Sequence, residues 1–224
     1  MTGVSSSSLL LPTTWVLSLR DISVNRDGHP ALRAVDAEAH AGRLLAVTGA
    51  NGSGKSTLLE VAAGLLTPDR GTVDLRPGLR IALVPQSTPI AAHLPLHITD
   101  IVMMGTWRHL GTWRPARRAD RGLVADAIET VGLTDLARRP IGALSCGQRQ
   151  RALLAQALVQ RADLVLLDEP MAGLDAPSRT IIAETIDQLT ATGAAVIAVT
   201  HDITEFTRID DVLVLQDGRV VRPS

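Results

Sequence analysis

A chain of 224 residues that is 46% apolar can bury a large core in one domain, with room for a subdomain. Its formal net charge of -1 supplies no whole-molecule field for nucleic acid or an anionic membrane. No apolar run approaches the ~20 residues that span a bilayer. The one cysteine, Cys146, cannot close an intramolecular disulfide and suits a reducing compartment, so the reading is a soluble cytoplasmic protein.

In chain order, residues 1–14 are rich in Ser and Thr and read as a disordered lead-in. Leu9-Leu10-Leu11 is broken by Pro12 and lacks a preceding basic stretch, which makes it a poor signal peptide. Trp15–Leu19 and Ile22–Val24 are strand material with a turn at Asp27-Gly28, and a short strand is expected from Val35 to Ala41. The apolar run Leu44–Val47 is a buried strand. Leu58, Leu59, Val61, Ala62 and Leu65 then recur at helical spacing. A turn at 68–71 leads into a strand at 72–75, and Ile81–Val84 is a short strand ending at Pro85-Gln86.

From about 97 to 158 the pattern is helical. One helix carries Leu123, Val124, Ala127, Ile128 and Val131 and stops at Gly132; another carries Leu153, Leu154, Ala157 and Leu158. Strands return at 164–167, 195–199 and 212–215, with a helix bearing Ile181, Ile182, Ile186 and Leu189 after the first. An Asp217-Gly218 hairpin turn closes the chain. Buried strands alternating with helices predict an α/β fold with a mainly parallel sheet, an N-terminal antiparallel β portion and an inserted helical subdomain at about 97–158.

The stretch Gly49-Ala50-Asn51-Gly52-Ser53-Gly54-Lys55-Ser56-Thr57 matches G-x-x-x-x-G-K-[S/T] between a predicted strand and helix, the P-loop context. Glycines let successive N–H groups converge on an anion, and the helix adds its positive dipole end. Lys55 would reach the β- and γ-phosphates, and Ser56 would hold Mg²⁺. Lys55 is also the only lysine; elsewhere the chain uses arginine, keeping a compact ammonium for this position.

Asp168 and Glu169 end a wholly apolar strand, where a parallel sheet presents its ligand edge. Asp168 would take Mg²⁺ through water, and Glu169 would orient or deprotonate an attacking water. His201 follows another apolar strand and could reach a γ-phosphate or merely cap the next helix. Gln86 by itself is uninformative. All of them nevertheless fall at C-terminal strand ends with Lys55, on one sheet edge. The repeats Gly105-Thr106-Trp107-Arg108 and Gly111-Thr112-Trp113-Arg114, with Arg117, Arg118 and Arg121, could suggest nucleic acid. The balanced overall charge favours a docking or solvated surface instead.

Leu144-Ser145-Cys146-Gly147-Gln148 completes an ordered set with the P-loop, Gln86, Leu164–Pro170, Gly173-Leu174-Asp175 and His201. Over roughly residues 15–221 the set resembles the ATP-binding subunit of an ABC transporter. The resemblance implies a P-loop NTPase core that binds ATP with Mg²⁺ held by Ser56, Gln86 and Asp168, with Glu169, His201 and Gln86 in the hydrolytic site. It implies that Ser145, Cys146, Gly147, Gln148 and Asp175 cap ATP on a second subunit, most simply another copy. Separate permease chains would dock at Gln86 and the helical block, placing the protein peripherally at the cytoplasmic face of the cell membrane.

Leu94–Gly105, Gly132-Leu133 and Asp168–Gly173 resemble the zinc/manganese importer subgroup, although Phe is commoner there than Met171. That implies import of a divalent metal delivered by an extracytoplasmic binding protein. A siderophore or heme importer, and a soluble ABC ATPase outside transport, are the alternatives. His93 and His97 do not support a metal site, because Pro95 prevents helical i,i+4 convergence. Two positions depart from the family: Arg26 stands where an aromatic residue usually stacks on adenine, and Cys146 replaces the first glycine of LSGGQ.

Overall fold

The computed structural model describes residues 15–86, 96–107 and 117–221. The expected N-terminal lead-in, His93 and the second Gly-Thr-Trp-Arg repeat lie outside the described residues. Among the described residues two sheets build the fold. The smaller is antiparallel, with β1 (Trp15–Arg26) between β2 (His29–His40) and β4 (Arg70–Leu75). The larger has the order β5-β6-β7-β3-β8-β9 and comprises β3 (Leu44–Gly49), β5 (Ile81–Val84), β6 (Leu164–Asp168), β7 (Ala195–Val199), β8 (Asp211–Gln216) and β9 (Arg219–Val221). Its pairings are parallel except for the last hairpin.

The second strand is much longer than the sequence predicts. β1 and β2 pair through several register shifts, and Asp21 and Ala34 adopt left-handed φ values of 52° and 50°. Each bulge switches which residues face inward, so the period-2 signal is erased although the pairing continues.

Among the described residues the α-helices are α1 (Lys55–Ala62), α2 (Ile98–Met104), α3 (Arg118–Thr130), α4 (Cys146–Gln160) and α5 (Ala176–Ala191). Leu65 does not belong to the apolar face of α1. Gly64, at φ 71°, donates to Val61 O, and Leu65 N donates to Glu60 O, a Schellman stop. Leu65 is left 70% exposed.

The central strands serve two cores. Leu164 and Leu166 of β6 pack with α1 and the antiparallel sheet, whereas Val165 and Leu167 pack with α2–α5. All four are fully buried, which explains a continuous apolar run rather than alternation. Between β5 and β6, α2 and α3 pack on α4. His97 precedes α2 and lies half-exposed; its backbone N–H donates to Asp100 and its Nδ1 lies 3.1 Å from the same carboxylate.

Candidate ATP-binding and hydrolytic site

Parallel strands β3, β5, β6 and β7 end on one edge, and their exits bring together the P-loop, Gln86, Glu169 and His201. Gly49, Gly52 and Gly54 take φ values of 146°, 78° and 102°. A Cβ at Gly49 would stand 2.1 Å from the Leu215 carbonyl oxygen, and one at Gly54 would stand 2.4 Å from that of Ala31. These two glycines are therefore demanded by packing against β8 and β2 as well as by the turn. At Gly52 a Cβ would meet no atom within 4 Å, so that residue leaves the backbone open to a ligand.

Lys55 is 5% exposed, and its Nζ donates to Gly49 O at 2.8 Å and Ala50 O at 2.9 Å. The ammonium is folded over the loop and held by its carbonyls. Ser53 Oγ is buried without a hydrogen-bond partner among the described residues. A buried hydroxyl beside a loop of turned-in backbone suits an anionic acceptor. Asn51, Gly52, Gly54, Lys55, Ser56 and Thr57 line a cavity of about 390 Å³ with Arg26, Ala31 and Glu169. A cavity of the same volume between α5 and residues 202–207 contains none of these groups. Chemistry, not size, distinguishes the site.

The Asp168 carboxyl is pushed above the usual carboxylate range by burial at the end of β6; its hydrogen bond with Ser56 and the charge of Lys55 oppose the shift, while neighbouring Glu169 adds to it. An acid so placed beside a hydroxyl is matched to a cation.

Glu169 is the non-glycine residue of this edge in the left-handed region, at φ 47°, anchored by its N–H to Val199 O. The conformation costs about 1–2 kcal/mol and turns the carboxylate across the strand ends. Gln86 Nε2 donates to one of its oxygens at 2.6 Å, and His201 Nε2 lies 2.5 Å from the other. Both oxygens are thus occupied in this state.

Ser145 caps α4 reciprocally with Gln148: its Oγ accepts from Gln148 N at 3.2 Å, and its N–H donates to Gln148 Oε1 at 3.0 Å. Cys146, the first residue of α4, is exposed. Gly147 is buried against Ser178 and Leu174, where a Cβ would lie 2.8 Å from Ser178 Oγ. Asp175 occupies the N-cap position of α5 without a side-chain cap hydrogen bond, and its carboxyl is held below the usual range, chiefly by the neighbouring Ser178 hydroxyl. Residues 145–148 and Asp175 form no part of the P-loop cavity wall.

The profile of the ABC transporter family, the family implied by the motif set, matches residues 32–172. The chain belongs to the ABC transporter family. It is similar to a manganese transport system ATP-binding protein of Halalkalibacterium halodurans, 34% identical over 207 residues, covering 89% of this chain and 82% of the relative. It is also similar to a zinc import ATP-binding protein of Chelativorans sp., 34% identical over 206 residues, covering 92% and 69%. Among solved structures, an inward-facing ABC transporter described as metal-chelate type superposes with a TM-score of 0.80 at 30% identity, covering 93% of this chain and 82% of the other. As a member of the family, the protein is a nucleotide-binding ATPase subunit of a transport system.

Two participants near the site escaped sequence reasoning. Glu60 of α1 forms an ion pair with Arg26, so Arg26 meets the cavity with its charge already paired. Glu60 lies four residues after Ser56 and therefore on the same helix face, the one signal that could have found it. Ala31 enters from β2, a strand whose start was not legible.

Proposed function

We propose that this ABC ATPase energises import of a divalent metal ion such as zinc or manganese, working as a homodimer with separate permease subunits at the cytoplasmic face of the membrane. The metal reading is supported by the manganese and zinc relatives, and an extracytoplasmic binding protein would deliver the ion to the permease. No helix among the described residues is long and apolar enough to cross a membrane. The transport path would then lie in separate permease subunits.

The observation that carries the dimer is the separation of motifs. One P-loop cavity is built from β1–β3, α1 and Glu169, while residues 145–148 and Asp175 contribute nothing to its wall. A second copy would bring Ser145, Cys146, Gly147, Gln148 and Asp175 over the γ-phosphate.

Within each half, the P-loop N–H groups, Lys55 and Thr57 bind the phosphates. Ser56, Asp168 and Gln86 would hold Mg²⁺, which when bound neutralises charge on the phosphate oxygens. Gln86 and His201 would leave the Glu169 carboxylate as nucleotide binds, with His201 turning to the γ-phosphate. The freed carboxylate accepts a proton from water as its oxygen attacks the γ-phosphorus, and the β–γ bridging oxygen departs on ADP.

Cys146 tests the sandwich as the only thiol. In the Glu169→Gln protein, ATP should protect it from maleimide in a manner that depends on protein concentration, and ADP should not. Equal labelling in both states would exclude a second subunit at this face.

Arg26 would stack its guanidinium on adenine. Its exposed ion pair with Glu60 contributes little. Arg26→Tyr should therefore tighten ATP by about 0.5–1 kcal/mol through better ring stacking. Unchanged affinity in both Arg26→Tyr and Arg26→Ala, measured by titration calorimetry, would remove Arg26 from the base site.

A further inference from the structure

Arg151 has no part in the chemistry described so far, yet three helices meet at its side chain. It projects from α4, six residues beyond the Ser145 cap. Its Nη1 donates to Val131 O at 3.0 Å and to Gly132 O at 3.4 Å, the carbonyl end of α3. A guanidinium there satisfies carbonyls the helix itself leaves free and meets the negative end of its dipole. At the same spot α5 arrives: a Cβ on Gly132 would lie 3.4 Å from Arg151 Nη1 and 3.5 Å from Ile181 Cδ1.

One turn back on α4, Gly147 packs directly on Ser178, which lies in the first turn of α5, three residues after Asp175. Burial pushes the Arg151 guanidinium below its ordinary range, and the charge of Asp175 opposes that shift. The Arg151 Nε is buried without a hydrogen-bond partner among the described residues. That cost is tolerated where the rest of the guanidinium is strongly held.

We propose that Arg151 is a positioning residue that joins the end of α3 to the N-terminal turn of α4 and, through Gly147 packed on Ser178, to the start of α5, so that residues 145–148 and Asp175 meet a second subunit as one rigid surface. The dimer part of this inference rests on the proposed function; the rigidity within one chain does not. Arginine suits the role because its guanidinium stays charged and one of its nitrogens, Nη1, reaches both carbonyls. A lysine keeps the charge on a shorter stem without the planar head.

The test reads the single subunit first. Amide hydrogen exchange is measured on nucleotide-free wild type, Arg151→Met and Arg151→Lys. Arg151→Met should speed exchange at least about tenfold at both 145–150 and 175–179, as expected for losing a charged hydrogen-bond anchor. Exchange over the P-loop and the affinity for ATP should stay within about twofold. Arg151→Lys should fall between the two, because it keeps the positive charge and loses the reach of the guanidinium. If 175–179 is unchanged in Arg151→Met, or exchange rises across the entire chain, the positioning role is wrong.

The same substitution in the Glu169→Gln protein should weaken the ATP-dependent dimer at least about tenfold by sedimentation velocity. An undiminished dimer would overturn the docking consequence. Should the Glu169→Gln protein with intact Arg151 fail to dimerise with ATP, the homodimer reading falls, while the exchange measurement still decides Arg151.

Discussion

Glu169→Gln is expected to lower steady-state ATP turnover by about 10²–10⁴-fold, the range for loss of a general base, while ATP binding persists. The substitution preserves shape and removes basicity. A glutamine can still accept from Gln86 and meet His201, both of which contact the native carboxylate. The left-handed backbone at φ 47° is equally available to it, so the fold has no reason to change. What it cannot do is take a proton from water. ATP would then hold two subunits together without being consumed, and gel filtration with ATP should show a stable dimer. Turnover above about a tenth of wild type, measured by phosphate release, would fall well short of the general-base range and mean that Glu169 has been given the wrong role.

Lys55→Ala should act at the opposite end of the cycle. Its ammonium is pre-positioned over the loop by the Gly49 and Ala50 carbonyls, in a nearly buried place where screening by water is weak. Hydrogen bonds to charged groups contribute about 1.5–3 kcal/mol, so ATP affinity should fall about 10–100-fold. Turnover at ATP concentrations below the wild-type Kd should fall at least in proportion. Lys55→Arg should not restore binding: a planar guanidinium cannot occupy the space between two loop carbonyls that a compact ammonium fills. Calorimetric titration with ATP distinguishes these outcomes. A Kd for Lys55→Ala within threefold of wild type would show that the lysine does not meet the phosphates.

The parallel core was legible because its signal is local. Leu164–Leu167 is apolar at every position because both faces are covered, and each such strand ends in polar residues at the ligand edge. The P-loop was legible for a similar reason: a closed backbone turn followed by a helix restricts residue types over nine consecutive positions. Long-range features were less visible. Bulges erased the alternation of β2, and Gly64 ended α1 before Leu65 could join its apolar face.

By itself, then, the sequence determined the phosphate loop, the order of strands and helices, and the acids and histidine collected on one edge, since each is encoded by contiguous residues obeying short-range rules. Only the tertiary structure decided what those groups touch. It set the Gln86–Glu169–His201 contacts, the pairing of Arg26 with Glu60, and the convergence of Arg151, Gly147 and Ser178. Such contacts join residues far apart in the chain, from 20 positions for Val131 and Arg151 to 83 for Gln86 and Glu169. No periodicity in a one-dimensional pattern records a distance that exists only after the strands have paired and the helices have packed.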